Sequence, residues 1–342
     1  MIRLLALVLA IGFSLAGANT SGTFTNPILP SGPDPWVLYH NGFYYYMNTT
    51  GKNLTLWKSK SIGDLAHAEK KIVWTPPLSG PDSHDIWAPE IHLIGGKWYI
   101  YFAADGGDNR THRLWVLENS SPDPMEGEWV MKGKLADSTD KWAIDPTVFE
   151  DNGKLFLVWS GWPGDANKVQ NIYIAQLKNP WTIEGRRVLI STPHFRWEKH
   201  DDDLGVKVNE GPEILKHDGD IFLIFSASGC WTDDYALGML QAREGSDLLN
   251  SVSWVKSKHP LLKTSGKAHA YGTGHNTFFR SPDGTQDWII YHANPDPEEG
   301  CKDERSPRAQ PFTWNADGTP NFGKPVPLGQ PLPLPSGEQS GQ

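Results

Sequence analysis

Three carboxylates occupy matching places in this sequence: Asp34 in GPDPWV, Asp145 in AIDPTV and Glu210 in NEGPEI. Each stands one or two residues before a proline. Pro35, Pro146 and Pro212, with Pro89 in APEI, all lie seven residues before a turn glycine. Carboxylates in one register can be gathered at one place, and burying them together is costly unless they do chemistry. The chemistry open to them is general acid–base catalysis. Hydrolysis of a glycosidic bond needs one carboxylic acid to protonate the leaving oxygen and one carboxylate to activate water or attack directly, with no cofactor. A third carboxylate beside the acid raises its pKa by repulsion and keeps it protonated near neutral pH. A lone Asp-Pro reads as a turn in which Asp caps its own backbone, but three carboxylates in one repeated register call for another explanation.

The elements that must position these groups are five copies of one hairpin: HNGFYYYMNT (40–49), IGGKWYIYFAA (94–104), DNGKLFLVWSG (151–161), HDGDIFLIFSASG (217–229) and PDGTQDWIIYHA (282–293). Each is a tight turn followed by an aromatic, β-branched strand. The turn glycines Gly42, Gly96, Gly153, Gly219 and Gly284 are 54, 57, 66 and 65 residues apart, which gives about four strands per unit, the size of a propeller blade. The expected fold is all-β, a single-domain five-bladed β-propeller. In the fifth unit Thr277 takes the place of the proline, just after His275. With radial units, Asp34, Trp87, Asp145, Glu210 and His275 converge on the axis at one face.

Composition narrows the partners. The chain has 342 residues, a formal charge of −9, 38% hydrophobic and 21% charged residues, 34 Gly and 27 Pro, which describes a turn-rich globular protein and excludes collagen, coiled coil and wholesale disorder. No basic run exceeds Lys70–Lys71 or Arg186–Arg187, so nucleic acid is not an expected partner. Sixteen Trp offer aromatic faces to sugar C–H groups or fill sheet cores. Met1–Arg3, an apolar run from Leu4 to Leu15 and Ala16-Gly17-Ala18 read as a signal peptide over 1–18. No later stretch is long and apolar enough for a membrane span, so a secreted product is expected, with 19–330 as the catalytic domain and 331–342 as a flexible Pro-, Gly-, Ser- and Gln-rich tail. Cys230 and Cys301 allow one disulfide or two buried thiols. The histidines show no HxxxH or HExxH spacing, so a catalytic zinc is not expected.

The segments NPILPSGPDPWV (26–37), HDIWAPEIH (84–92), WAIDPTVFEDNGKLFLVW (142–159), NEGPEILKHDG (209–219), GTGHNTFF (272–279) and RSPRAQPFTWNADGTPNFG (305–323) together resemble glycoside hydrolase family 43, over nearly the whole mature chain. The resemblance implies inverting hydrolysis of arabinose- or xylose-containing polysaccharides by a five-bladed propeller. It implies Asp34 as general base, Glu210 as general acid and Asp145 as the residue that tunes and orients the acid. Arg305 would pair with a carboxylate or a sugar hydroxyl, ahead of Arg308. Trp87 would line the pocket and stack on sugar, with Trp36 and Trp162 as weaker candidates. His275 resembles an axial histidine that in some members binds calcium or another ion, although calcium prefers oxygen ligands; a structural or substrate-orienting role is the alternative, and no cofactor is required. The segments at 84–118 and 305–326 look most like the secreted α-L-arabinofuranosidase branch, acting on arabinan or arabinoxylan as a monomer. Endo-α-1,5-arabinanase and β-xylosidase are the alternatives within the family, and a non-catalytic glycan-binding propeller is the alternative outside it. The connections at 105–113 and 194–208 are candidate pocket walls.

Overall fold

Two-residue turns set the register of the sheets. Asn41-Gly42, Gly95-Gly96, Asn152-Gly153 and Asp218-Gly219 have both residues at positive φ, between 47° and 83°, the turn geometry that matches the twist of paired antiparallel strands and that Asn, Asp and Gly adopt at least cost. The computed structural model describes residues 22–338; the signal segment expected over 1–18 lies outside them.

After β1 (Thr23–Thr25), strands β2–β5 (Trp36–His40, Phe43–Met47, Leu54–Ser59, Glu69–Trp74) make the first blade. Strands β6–β9 (His84–Ile94, Lys97–Asp105, Arg113–Asn119, Val130–Leu135) make the second, and β10–β13 (Ala143–Asp151, Lys154–Gly161, Val169–Asn179, Thr182–Ser191) the third. The fourth is β14–β17 (Lys207–His217, Asp220–Ala227, Ala236–Arg243, Val255–Lys256) and the fifth β18–β21 (Tyr271–Arg280, Asp287–Asn294, Ser306–Trp314, Pro320–Asn321). Finally β22 (Pro331–Pro333) pairs with β1. A short parallel pairing of Val169–Gln170 with Lys207–Val208 joins blades three and four. The architecture is the expected five-bladed β-propeller.

The blades are held together by side chains between neighbouring sheets. Apolar clusters fill each of the five junctions, for example Trp36, Met47, Ile91 and Phe102 between blades one and two, Tyr101, Val116, Val148 and Trp159 between two and three, and Val158, Ile174, Leu223 and Phe225 between three and four. Each fully buried aliphatic or aromatic side chain contributes about 1.5–3 kcal/mol, so the ring rests on these junctions. The junction of blades five and one is built from both ends of the chain: Phe24, Ile28, Leu332 and Leu334 pack with Tyr44, Ile62, Trp288 and Ile290. Asn26 adds a two-way hydrogen bond to the backbone of Ala309, at 2.9 and 2.8 Å.

Two expectations need correction. The flexible tail does not begin at 331, because Pro331–Pro333 is paired, Leu332 and Leu334 are buried, and the Glu338 carboxylate accepts from Ser61 Oγ at 2.5 Å and from the Ile62 amide at 3.3 Å. Interleaved prolines resemble a tail in composition but serve well on an edge strand. In the fifth unit a six-residue connection, 281–286, replaces the two-residue turn, since Arg280 pairs with Asp287; Thr277 is therefore not the register equivalent of the prolines.

Candidate active site

Just before or within the first half of each inner strand stands a residue in the left-handed region: Asp34 at φ 55°, Ala88 at 43°, Asp145 at 54°, Gly211 at 53° and His275 at 45°. In blades two to five these residues fall in β-bulges, where the ladder skips between Trp87 and Glu90, Ile144 and Thr147, Glu210 and Glu213, and Gly274 and Asn276. A bulge re-aims the side chains beside it, and non-glycine residues in this conformation are strained, which marks sites where geometry is used. Gly211 is required twice over, by its positive φ and because a Cβ there would stand 3.2 Å from the His275 ring.

Asp34, Asp145, Glu210 and His275 come together at this face. Asp34 Oδ1 lies 3.0 Å from Arg305 Nη1 and 3.2 Å from His275 Nδ1, and Oδ2 accepts from Thr49 Oγ1 at 2.6 Å. Burial alone would raise the pKa of Asp34, but the Arg305 guanidinium and His275 hold it well below the usual carboxylate range,. His275 is itself opposed by burial yet pushed up to about 9, first by Asp34 and then by Asp145. Asp145 Oδ2 accepts from the Gly211 amide at 2.9 Å, and burial moves its pKa up to about 6. Glu210 is pushed up to about 8 by burial and then by the nearby Asp145, while Tyr235 Oη donates to its Oε1 at 2.9 Å. One ionised and one protonated carboxyl therefore stand near each other at neutral pH, with Asp145 tied to the backbone next to Glu210.

A second set of buried carboxyls lies three residues further along two inner strands. Glu90 follows Trp87 on β6, and Glu213 follows Glu210 on β14. Burial and, for Glu90, the neighbouring Glu213 raise both well above the usual range. Glu90 Oε2 is 2.9 Å from His92 Nε2, and burial lowers the His92 pKa to about 3.

The aromatic expectations divide. Trp87 is half-buried and its ring stacks on His112 at 4.1 Å and 24°. Trp36 belongs to the core of blades one and two, where its indole donates to Ile91 O at 2.9 Å and its ring packs on His92; the structure does not bring it to the acids. Trp162 is 1% exposed and stacks on Trp142 at 4.6 Å. Arg308 is fully buried, with its guanidinium toward the carbonyls of Ala268, Ala293 and Asn294, which leaves Arg305 as the arginine on Asp34.

The Nδ1 of His275 faces Asp34 Oδ1 at 3.2 Å, so that nitrogen is taken up by the carboxylate rather than turned to a cation,. Among the described residues no group of three or more His, Cys, Asp or Glu is arranged to hold a metal. Cys230 and Cys301 form a disulfide between the loop after β15 and the loop before β20, the loop that ends at Arg305.

Sequence motifs missed three contributors. His292 accepts the Asp34 amide on Nδ1 at 3.1 Å, Tyr235 holds Glu210, and Thr49 bridges Asp34 to the Ala88 amide, donating to the first and accepting from the second at 2.7 Å. None lies in an inner-strand motif. Their only sequence signal is their place at the end of a second strand or in the loop that follows it, on the catalytic face.

With this geometry in place, comparison with known proteins is direct. The profile of Glycosyl hydrolases family 43 matches residues 24–320. The chain belongs to that family. Its relatives include an extracellular exo-α-(1→5)-L-arabinofuranosidase of Streptomyces avermitilis, 41% identical over 91% of this chain and 65% of that protein. α-L-Arabinofuranosidase 43 of Humicola insolens is 36% identical over 96% of this chain and 69% of that protein. The chain thus spans about two-thirds of the length of these two relatives. The crystal structure of an α-L-arabinofuranosidase from Lactobacillus brevis superposes with a TM-score of 0.83 at 36% identity, covering 90% of this family 43 chain and 98% of that one.

Proposed function

We propose that the protein is a secreted, inverting α-L-arabinofuranosidase that releases L-arabinofuranose from arabinan or arabinoxylan, with the five-bladed propeller, including its closing strand Pro331–Pro333, as its catalytic domain. The observation that carries the chemistry is the placement of Arg305 and His275 against Asp34, at 3.0 and 3.2 Å, while Glu210 is buried next to Asp145, which favours an ionised Asp34 and a protonated Glu210. In this scheme Asp34 takes a proton from water as the water oxygen bonds to the anomeric carbon. Glu210 gives its proton to the departing glycosidic oxygen, the C–O bond breaks, and the anomeric configuration inverts. Asp145 keeps Glu210 protonated by its charge and fixes the neighbouring Gly211 amide. Arg305 and His275 keep Asp34 ionised.

The sugar preference is supported by the names of the relatives, two of which are arabinofuranosidases. Secretion is supported by the leader-like segment and by the extracellular designation of the Streptomyces protein.

The test is a product profile on linear arabinan, arabinoxylan and xylobiose, with the anomer of the first product read by proton NMR. Free arabinose of inverted configuration is expected from the first two. Long oligomers would move the assignment to an endo-arabinanase and xylose alone to a xylosidase, while retention would remove Asp34 as a water-activating base.

A further inference from the structure

The loop that delivers Arg305 to Asp34 has little of its own to hold it. It runs over residues 295–305 between β19 and β20, and none of these residues is buried. Hydrogen bonds tie its backbone to Asn294, Asp233, Ser31 and Gly32, at 2.5–3.1 Å. A segment without buried side chains opens locally far more readily than the core does. The loop it meets across the seam of blades four and five, residues 228–235 between β15 and β16, is anchored instead. Ser228, Thr232 and Tyr235 are buried, and the Gly229 amide donates to His200 O at 2.8 Å. Cys230 on the anchored loop is bonded to Cys301 on the exposed one.

We propose that Cys230 and Cys301 are a positioning pair for the hydrolysis: their bond holds the exposed loop on the anchored one and so keeps the Arg305 guanidinium on Asp34. The inference rests on the reading of Asp34 as the base. Cys301 stands four residues before Arg305, whose Nε donates to Lys302 O at 3.0 Å while Nη1 reaches Asp34 Oδ1 at 3.0 Å. Cys230 stands five residues before Tyr235, which donates to Glu210. The bond therefore links the segment that serves the base to the segment that serves the acid. Its two ends do not depend on it equally. Tyr235 is 1% exposed and its ring lies parallel to that of His292 at 5.8 Å, so packing keeps it in place without the bond. Arg305 has only its loop. Asp34 is also faced by His275 from β18, His292 from β19, Tyr46 from β3 and Tyr235 from the anchored loop, and by the carboxyls of Asp145 on β10 and Glu210 on β14. All of these stand on strands or on the anchored loop. Opening the bond thus releases one group: the guanidinium withdraws from Asp34, and a carboxyl that loses a neighbouring cation titrates at higher pH.

The experiment compares the unmodified protein with one carrying both Cys230→Ser and Cys301→Ser. The acid limb of kcat/KM on an arabino-oligosaccharide should move to higher pH, in the direction expected of Arg305→Ala, with a loss of about threefold at the acid edge, while the alkaline limb set by Glu210 stays. Placed on Arg305→Ala, the same two substitutions should move the acid limb no further, because changes that act through one group do not add. Where the double variant does not fold, the bond is opened in the folded protein with tris(2-carboxyethyl)phosphine, to which Cys301 is exposed. The phosphine takes the oxygen of water and becomes its oxide, and the two sulfurs receive the electron pair and water's protons as thiols. A lowered thermal midpoint with an unmoved acid limb makes the bond a staple of the fold alone and overturns the proposal. A further shift on the Arg305→Ala background overturns it as well. The titration of Asp34 is read in parallel by carbon-13 NMR of protein labelled at its aspartate carboxyls, with Asp34→Asn to assign the signal. A rise in that midpoint without release of arabinose keeps the positioning and removes the sugar assignment, and arabinose released with an unmoved midpoint does the reverse.

Discussion

Two sets of buried carboxyls face the interior of the same ring, three residues apart along its inner strands, and their environments differ in one respect. Asp34, Asp145 and Glu210 share their surroundings with Arg305 and a protonated His275, both of which stand against Asp34. Glu90 and Glu213 have burial in common with them but have only His92 beside Glu90, and burial holds that ring neutral. In the deeper pair both carboxyls are pushed the same way and remain protonated. In the outer set the cations lie to one side, so one carboxyl is held ionised while Glu210 is driven up. Burial alone makes neutral acids; an acid and a base require burial together with a lopsided placement of positive charge.

The sharpest break in that comparison is removal of the divided pair. Glu210→Gln and Asp34→Asn should each lower kcat by at least about 10²-fold, measured on an arabino-oligosaccharide as well as on 4-nitrophenyl α-L-arabinofuranoside, because an activated leaving group hides the loss of the acid. Retained turnover on the oligosaccharide would show that the division has no catalytic meaning.

Arg305→Ala should make the outer set resemble the deeper one. Asp34 needs to be ionised, its pKa is held down, and the loss of the guanidinium must raise it. The acid limb of the kcat/KM profile should therefore move to higher pH, with a loss of roughly tenfold near neutral pH. A profile that keeps its acid limb would place the controlling charge elsewhere.

In the unmodified protein kcat/KM should fall as pH rises through about 8, where Glu210 loses its proton. The Tyr235 hydroxyl stabilises the ionised form of Glu210, so Tyr235→Phe should move this alkaline limb to higher pH and lower kcat a few-fold by freeing the carboxyl,. An alkaline limb that stays where it was would separate Tyr235 from the acid.

The smallest effect belongs to the deeper pair. A carboxyl raised in the folded state stabilises the fold below its unfolded pKa and loses that contribution as pH rises toward the folded value. Glu90→Gln with Glu213→Gln should leave both limbs of the activity profile in place and flatten the decline of the thermal midpoint between mildly acidic and alkaline pH. A displaced activity limb would show that the two sets are electrostatically one.

The sequence was informative where the repeat and its chemistry coincide. Asp34, Asp145 and Glu210 were legible because a proline and a turn glycine recur around them at fixed spacing, and Arg305 because it opens a long matching segment. His292 and Tyr235 were not, since strand ends and the loops beyond them vary in length, and nothing local distinguishes a histidine that accepts an axial amide from one that fills space. Trp36 shows the opposite limit: the family resemblance put it among the weaker sugar-stacking candidates, yet alternation along the strand turns its ring into the blade junction,. The C-terminal strand was hidden by composition, because proline reads as disorder until a partner strand is known.

That strand has a consequence for how the molecule is made. The junction of blades five and one needs Phe24 and Ile28 together with Leu332 and Leu334, so a growing polypeptide can complete four interblade seams before the ribosome has delivered the residues for the last. Until then the first blade keeps an oily flank uncovered. Partly made protein is thus prone to clumping until Leu332 and Leu334 arrive, and a truncation or fusion point placed before Glu338 would leave that flank open,.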